Sequence, residues 1–299
     1  MKAADVKFDL ESKRLSVEKP KARFDKQGDM GDAERVQKAM ANFSKDFGTT
    51  AAAYLDACIH CGMCAEACHY YVATGDPKYT PVWKLEPFKQ AYKREAGPLA
   101  PLYRLLGLKK KVTAGQLEEW QHLLYDSCTV CGRCSLICPV GIDIATLVSM
   151  ARHGMYKAGL VPHELHAVAE RAEVDGSPLG ITPKLFEQRL EWMEDEHEVD
   201  INVDQEKVDV LAVMSSIEIQ KYPDARAATA KILNAVGESW TFRTDGFEAT
   251  TFGLLSGNLE LQKKNSMRVI ETAIKVGAKL VLLPECGHAY MALRWMGAN

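Results

Sequence analysis

Eight of the nine cysteines in this sequence fall into two runs of identical spacing. The first reads Cys58-Ile-His-Cys61-Gly-Met-Cys64-Ala-Glu-Ala-Cys68, and the second Cys128-Thr-Val-Cys131-Gly-Arg-Cys134-Ser-Leu-Ile-Cys138-Pro139. A [4Fe-4S] cube is held by four thiolates at its corners. A tight loop with cysteines three apart can present three of them to one cube, while the fourth, on the departing helix, points to another. The expected ligand sets are therefore Cys58, Cys61, Cys64 and Cys138 for cluster one, and Cys128, Cys131, Cys134 and Cys68 for cluster two. This crossing would hold two [4Fe-4S] clusters close together. A tetrahedral zinc site usually draws pairs of ligands from separated knuckles, and a duplicated run of four cysteines exceeds what one such site uses. Gly62 and Gly132 follow the second cysteine of each run, where a missing side chain is expected to let backbone N–H groups approach the sulfurs. His60 and His69 stand beside the thiols, but with eight thiolates supplied neither imidazole is needed as a ligand.

These loops need rigid elements to position them. Upstream, Val36, Met40, Phe43 and Phe47 recur at near-helical spacing and predict a short amphipathic helix over Asp32 to Phe47. The insert between the runs carries turn markers at Gly75-Asp76-Pro77 and Gly97-Pro98. It then carries a stripe at Leu117, Trp120, Leu123 and Leu124 that predicts a helix ending at the second run. Past that run, Asp143 suits the N-cap of a helix through Leu147, Val148 and Met155 that stops at Gly159. A mainly helical ferredoxin domain over residues 33–190 is expected. The acid-dense stretch Glu191 to Asp200 would repel itself in a packed core, so residues 191–207 read as a solvated linker, with a docking face for a basic partner as the alternative.

Residues 208–299 alternate strand and helix patterns. Val208 to Val213, Trp240 to Phe242 and Lys279 to Leu283 are short strand-like runs, the first and last of a buried type. Ala225 to Val236 and Asn258 to Val276 read as helices closed by Gly237 and Gly277. Such alternation predicts an α/β domain with a small parallel sheet.

Composition narrows the function classes. The chain has 299 residues, 47% hydrophobic and 26% charged, with a formal charge of −3. That balance gives no basic face for nucleic acid. Residues 1–32 are rich in Lys, Asp and Glu and read as a flexible arm lacking the apolar segment of a secretory signal. No apolar run reaches the roughly 18 residues needed for a direct membrane span, so any membrane association is expected through a partner subunit. Cysteines without an export signal point to a reducing compartment, so the expected location is cytoplasmic, at most peripheral at the inner face of the membrane.

Residues 50–160 resemble the helical ferredoxin domain of heterodisulfide reductase, of the iron-sulfur subunits of glycolate and glycerol-3-phosphate oxidases, and of succinate dehydrogenase. The second run closes with Cys138-Pro139 as in that family, whereas the first has His69 where proline is usual. Residues 208–299 are similar to one half of the cysteine-rich domain that follows in the heterodisulfide reductase family, especially its DsrK-like subunits. The resemblance implies Cys-Cys-Gly motifs in two halves that together bind an unusual cluster for disulfide chemistry. Here the matching place reads Phe247-Glu248-Ala249-Thr250, and Ser215 and Ser216 stand where an earlier cysteine would be. Only Cys286 remains, in Pro284-Glu285-Cys286-Gly287-His288. Ser215, Thr250 and Cys286 are expected to face one crevice outside the carboxyl ends of the strands, where open parallel sheets bind ligands. Cys286 is the candidate catalytic thiol, with His288 placed to lower its pKa. The chain stops at Asn299 without the second half, so a truncated form or a half completed by another subunit is expected.

The leading expectation is an electron-transfer subunit of a cytoplasm-facing redox complex rather than a complete enzyme. It would relay single electrons between a flavin or thiol/disulfide site and a quinone or membrane module, with a flavoprotein or quinone-reactive subunit as partner. The alternatives are a thiol or heterodisulfide reductase using Cys286 and the iron-sulfur subunit of a flavin-linked 2-hydroxy-acid oxidase. A further alternative makes the C-terminal half a non-redox docking module. The triplet Lys109-Lys110-Lys111 reads as a solvated loop or as a steering patch for an acidic partner.

Overall fold

A computed structural model describes residues 25–46, 48–108, 110–248, 250–283 and 286–296. Most of the expected N-terminal arm, residues 1–24, lies outside the described residues. Its last part is pinned to the body: the Asp25 N–H donates to Gln121 Oε1 at 3.0 Å, and the Gln27 side-chain amide donates to the Val161 carbonyl at 2.6 Å.

The first half is helical, as its patterning predicts. Its long members are α1 (Asp32–Asp46), α2 (Thr49–Ala57), and, after the short α3 (Met63–Ala67) and α4 (His69–Thr74), α5 (Pro81–Glu95). The short α6 (Ala100–Leu105), α7 (Ala114–Gln121), the four-residue α8 (Arg133–Leu136) and α9 (Ile144–Lys157) follow. Phe43 of α1, Phe88 of α5 and Trp120 of α7 meet ring to ring at 5.2 and 5.8 Å from Phe43, making the centre of one core. The α7 helix continues as a π-helical turn over His122–Asp126, which lets both Leu123 and Leu124 face inward just before the second cysteine run. Asp143 caps α9 by accepting from the Thr146 N–H at 3.1 Å.

Helices α10 (His163–Asp175) and α11 (Pro183–His197) lead into the second half. The stretch expected to be a linker, 191–207, differs from that expectation. It completes α11 and then buries Val199 and Ile201 with Phe186, Trp240 and Phe242 in a second core. Its acids crowd one helical face while Leu190 and Met193 supply the other, so charge density alone misread an amphipathic helix.

The sheet comprises β1 (Val210–Ala212), β2 (Trp240–Thr241) and β3 (Leu280–Leu282), all parallel in the order β2-β1-β3. It is crossed by α12 (Ser216–Lys221), α13 (Pro223–Val236), α14 (Phe252–Ser256) and α15 (Leu259–Val276), with α16 (Gly287–Met291) following β3. The expected small parallel sheet is present. One detail differs: β3, expected to be buried, is an edge strand with Leu280 exposed, because an apolar run does not reveal which strand takes the centre. No helix among the described residues is long and apolar enough to cross a membrane.

Candidate metal centre

The two cysteine runs fold into the same loop. In each, the residue before the second cysteine is left-handed, His60 at φ 54° and Val130 at φ 55°, and so is the glycine after it, Gly62 at φ 84° and Gly132 at φ 75°. Each glycine then starts a short helix, α3 or α8. The positive φ at each calls for glycine, and Gly62 and Gly132 each line one of the cysteine cavities, with no protein atom within 4 Å of an added Cβ. Val130 has no such freedom. A β-branched side chain in the left-handed region costs about 1–2 kcal/mol, offset here by near-complete burial of its side chain. Its N–H lies 3.4 Å from Cys128 Sγ and donates to it.

The eight thiols line two neighbouring cavities. One is lined by Cys58, Cys61, Cys64 and Cys138. The other is lined by Cys128, Cys131, Cys134 and Cys68. Each cavity takes three cysteines from one run and the last cysteine of the other, and Ile144 of α9 stands between them, lining both. Among the described residues, no group of three or more His, Cys, Asp or Glu side chains is gathered tightly enough to hold a single metal ion. Burial pushes the Cys64 thiol up, and burial together with the neighbouring thiols Cys128, Cys131 and Cys64 pushes Cys134 up to about 12. Thiolates at these positions need a compensating positive charge, which iron coordination supplies.

Three buried cations surround the cavities. Lys84 Nζ lies 3.6 Å from Cys68 Sγ and 5.0 Å from the Tyr70 ring centroid, and it also donates to the Ser127 carbonyl. Lys89 lines the other cavity with its Nζ 3.2 Å from His60 Nε2. Arg152 of α9 donates to the Cys128 carbonyl at 2.6 Å and to the Leu124 carbonyl at 2.7 Å. None of the three pairs with a carboxylate among the described residues. A buried cation without an anionic partner is unfavourable, and a cube held by four thiolates is a net anion. The residues present therefore fit such a group. Sequence reasoning passed over these cations. The signal was available for two of them: Lys84 and Lys89 fall on the same face of α5 as Leu85, Phe88 and Tyr92, where a solvated lysine does not belong.

Arg152 also ties the halves together. Its guanidinium donates to the Leu255 carbonyl at 2.8 Å, while the Tyr125 hydroxyl donates to the Ser256 carbonyl at 2.9 Å. Gly257, at φ 89°, brings its backbone so close that an added Cβ would collide with the Arg152 carbonyl oxygen.

The expected strand-end residues each find local roles. Ser215 starts α12, its N–H donating to Glu218 Oε2 at 2.6 Å. Ser216 donates through both its N–H and its hydroxyl to Glu248, and Thr250, two residues further on, is also buried. Desolvation pushes the Glu248 carboxyl up to about 8, against the hydrogen bonds from Ser216. Cys286 Sγ accepts from the Ala289 N–H at 3.4 Å and caps the turn into α16. Ala249, Pro284, Glu285 and the side chain of His288 lie outside the described residues. His60 and His69 are both exposed, His60 beside Lys89 and His69 against Tyr70.

Comparison with known proteins agrees with the motif reading. A model of the 4Fe-4S dicluster domain matches residues 54–142. An Hdr-like menaquinol oxidoreductase iron-sulfur subunit of Archaeoglobus profundus is 30% identical over 249 residues, covering 79% of this chain and 44% of the relative. The corresponding iron-sulfur subunit 2 of Archaeoglobus fulgidus is 29% identical over the same shares. A subunit of the dihydromethanophenazine:CoB–CoM heterodisulfide reductase of Methanosarcina barkeri is 25% identical over 249 residues, covering 80% of this chain and 57% of the relative. The chain thus spans about half the length of the curated relatives it matches. No solved structure gives a significant match.

Proposed function

We propose that this heterodisulfide reductase-like iron-sulfur chain relays single electrons through two [4Fe-4S] clusters, one in each cysteine-lined cavity, as a subunit of a larger redox complex. The observation that carries this reading is the sorting of eight thiols into two mixed sets, Cys58, Cys61, Cys64 with Cys138 and Cys128, Cys131, Cys134 with Cys68. Such clusters, when bound, cycle by one electron with little change of structure. The chain's own residues do the rest. The left-handed loops hold three sulfurs of each set on one short segment, and Lys84, Lys89 and Arg152 offset the negative charge and favour the reduced state. Apolar residues beside the sulfurs, such as Ile59, Leu136 and Val140, reach the surface and offer the electron a short exit to a docked partner.

The partners that fit are a flavin or thiol/disulfide site on one side and a quinone-reactive membrane module on the other, by analogy with the menaquinol oxidoreductase named for the Archaeoglobus relatives. The sulfur of Cys286 accepts from the Ala289 amide at 3.4 Å, and the relay proposed here gives Cys286 a structural place at the start of α16. Iron and sulfide analysis of the anaerobically reconstituted chain tests the reading. About eight irons per chain, with spectra of two interacting cubes on reduction, are expected. About four irons, or a stoichiometric zinc complement, would overturn it. A Cys286→Ser chain is expected to keep both its iron content and its turnover within the complex.

A further inference from the structure

Apart from the cavity rims, the densest exposed apolar feature lies on α6 and the turn after it. The segment 99–111 reads Leu-Ala-Pro-Leu-Tyr-Arg-Leu-Leu-Gly-Leu-Lys-Lys-Lys. Helix α6 faces the body through Ala100, which is buried, and Tyr103, which is half-buried. Leu99, Leu102 and Leu106, at i, i+3 and i+7, share the opposite face with Leu105, and Leu108 follows in the turn. All five leucines are exposed, Leu105 at 83% and Leu108 at 61%. A helix of a soluble protein normally turns its bulkiest apolar residues inward, and this one turns them out.

Arg104 is answered by Glu95 at 3.8 Å, so the remaining charge beside this face is that of the lysines. Arg104 and the three lysines 109–111 are the only ionisable side chains among residues 99–111 apart from the Tyr103 phenol, in a chain whose formal charge is −3. Lys110 and Lys111 are exposed, while Lys109 lies outside the described residues. Leucines that enter an acyl layer beside lysines that meet headgroups are the chemistry of a peripheral contact with an anionic bilayer. A second copy of the chain fits less well, because two such faces would bring their lysine runs together.

We infer that the leucine face of α6, with Lys110 and Lys111, is a lipid-contact site that seats this protein directly on the surface of an anionic membrane. The contact is in the plane of the interface, not a span. It stands independently of the electron-relay reading, since it uses no cysteine and no cavity residue. It would nevertheless serve such a relay, because α6 follows directly on α5, whose Val82, Leu85 and Lys89 line the cavity of Cys58.

The test is co-sedimentation of the purified full chain with vesicles of phosphatidylglycerol mixed with phosphatidylcholine, against phosphatidylcholine alone. Binding to the mixed vesicles is expected, weakening as salt rises. The Lys110→Gln/Lys111→Gln chain is expected to bind these vesicles roughly 25-fold more weakly, from about fivefold per lysine removed. A Leu102→Ser/Leu105→Ser chain is expected to lose binding at every salt concentration. Because all four positions are exposed, circular dichroism and iron content should match wild type. Wild-type failure to bind, equal binding to both vesicle types, or variants that bind like wild type would each overturn the inference. So would a leucine variant whose only change is a smaller oligomer in size-exclusion chromatography, which would assign the face to a second copy.

Discussion

The two halves of the molecule handle buried charge in opposite ways. In the helical half, Lys84, Lys89 and Arg152 are at least nine-tenths buried and lean on carbonyls, a histidine nitrogen and sulfur, with no carboxylate to answer them among the described residues. In the α/β half, Arg226 meets Glu218 at 2.6 Å, and Glu248, which has no such partner among the described residues, is pushed toward its neutral form instead. The second half is internally balanced. Four thiolates around an iron-sulfur cube are an anion that would answer the three cations around the cavities, whereas the buried Arg35, away from the cavities, is satisfied by backbone carbonyls alone. The contrast supports the proposal that the clusters sit in the helical half.

The strongest way to break this contrast is to remove the residue shared by both halves. Arg152→Ala leaves the Leu124, Cys128 and Leu255 carbonyls without their donor and is expected to destabilise the chain by about 3 kcal/mol or more. Denaturant unfolding reads the loss, and the visible absorption of the cluster near Cys128 should bleach first. Glu248 comes next. Its folded pKa, about 8, lies above the ordinary carboxylate value, so the folded chain holds a proton that the unfolded chain has released. Stability from this group is full below about pH 4.5 and falls as pH rises to about 8, by up to roughly 1.4 kcal/mol per pH unit. Glu248→Gln is expected to flatten that slope and to be the more stable chain at pH 8. Unchanged pH dependence of unfolding would contradict the assignment.

Two smaller effects sharpen the comparison. A unit charge roughly 7 Å from a cluster at an effective dielectric of about 20 is worth about 2.4 kcal/mol, or on the order of 100 mV for one electron. Lys89→Gln should therefore lower the potential of one cluster, and Lys84→Gln that of the other, in a redox titration followed by electron paramagnetic resonance. A shift of the same cluster by both would join what the cavities keep apart. Gly132→Ala forces an L side chain into the left-handed region and is expected to cost about 1–2 kcal/mol in thermal unfolding of the loaded protein.

The sequence made much of this legible where the signal is local. Cysteine spacing marked both loops, Asp143 and Gly277 marked helix ends, and alternation marked the parallel sheet. What it concealed depends on tertiary packing. Leu280 reads as buried but lies on an edge, residues 191–207 read as a linker but complete a helix and feed a core, and Arg152, which no sequence pattern marks, is buried between the two halves. Gly62 and Gly132 were legible as special positions, and their left-handed backbone angles give a reason that spacing alone does not show.

The crossing of the ligands between the two runs is the central claim, and one comparison tests it directly. A Cys128→Ser/Cys131→Ser chain should retain a single cube, about four irons per chain. Adding Cys138→Ser to it should disrupt the electron paramagnetic resonance signal of that remaining cube, whereas adding Cys68→Ser should leave it unchanged. The reverse outcome, loss with Cys68→Ser and survival with Cys138→Ser, would mean that each run holds its own cluster and would contradict the account.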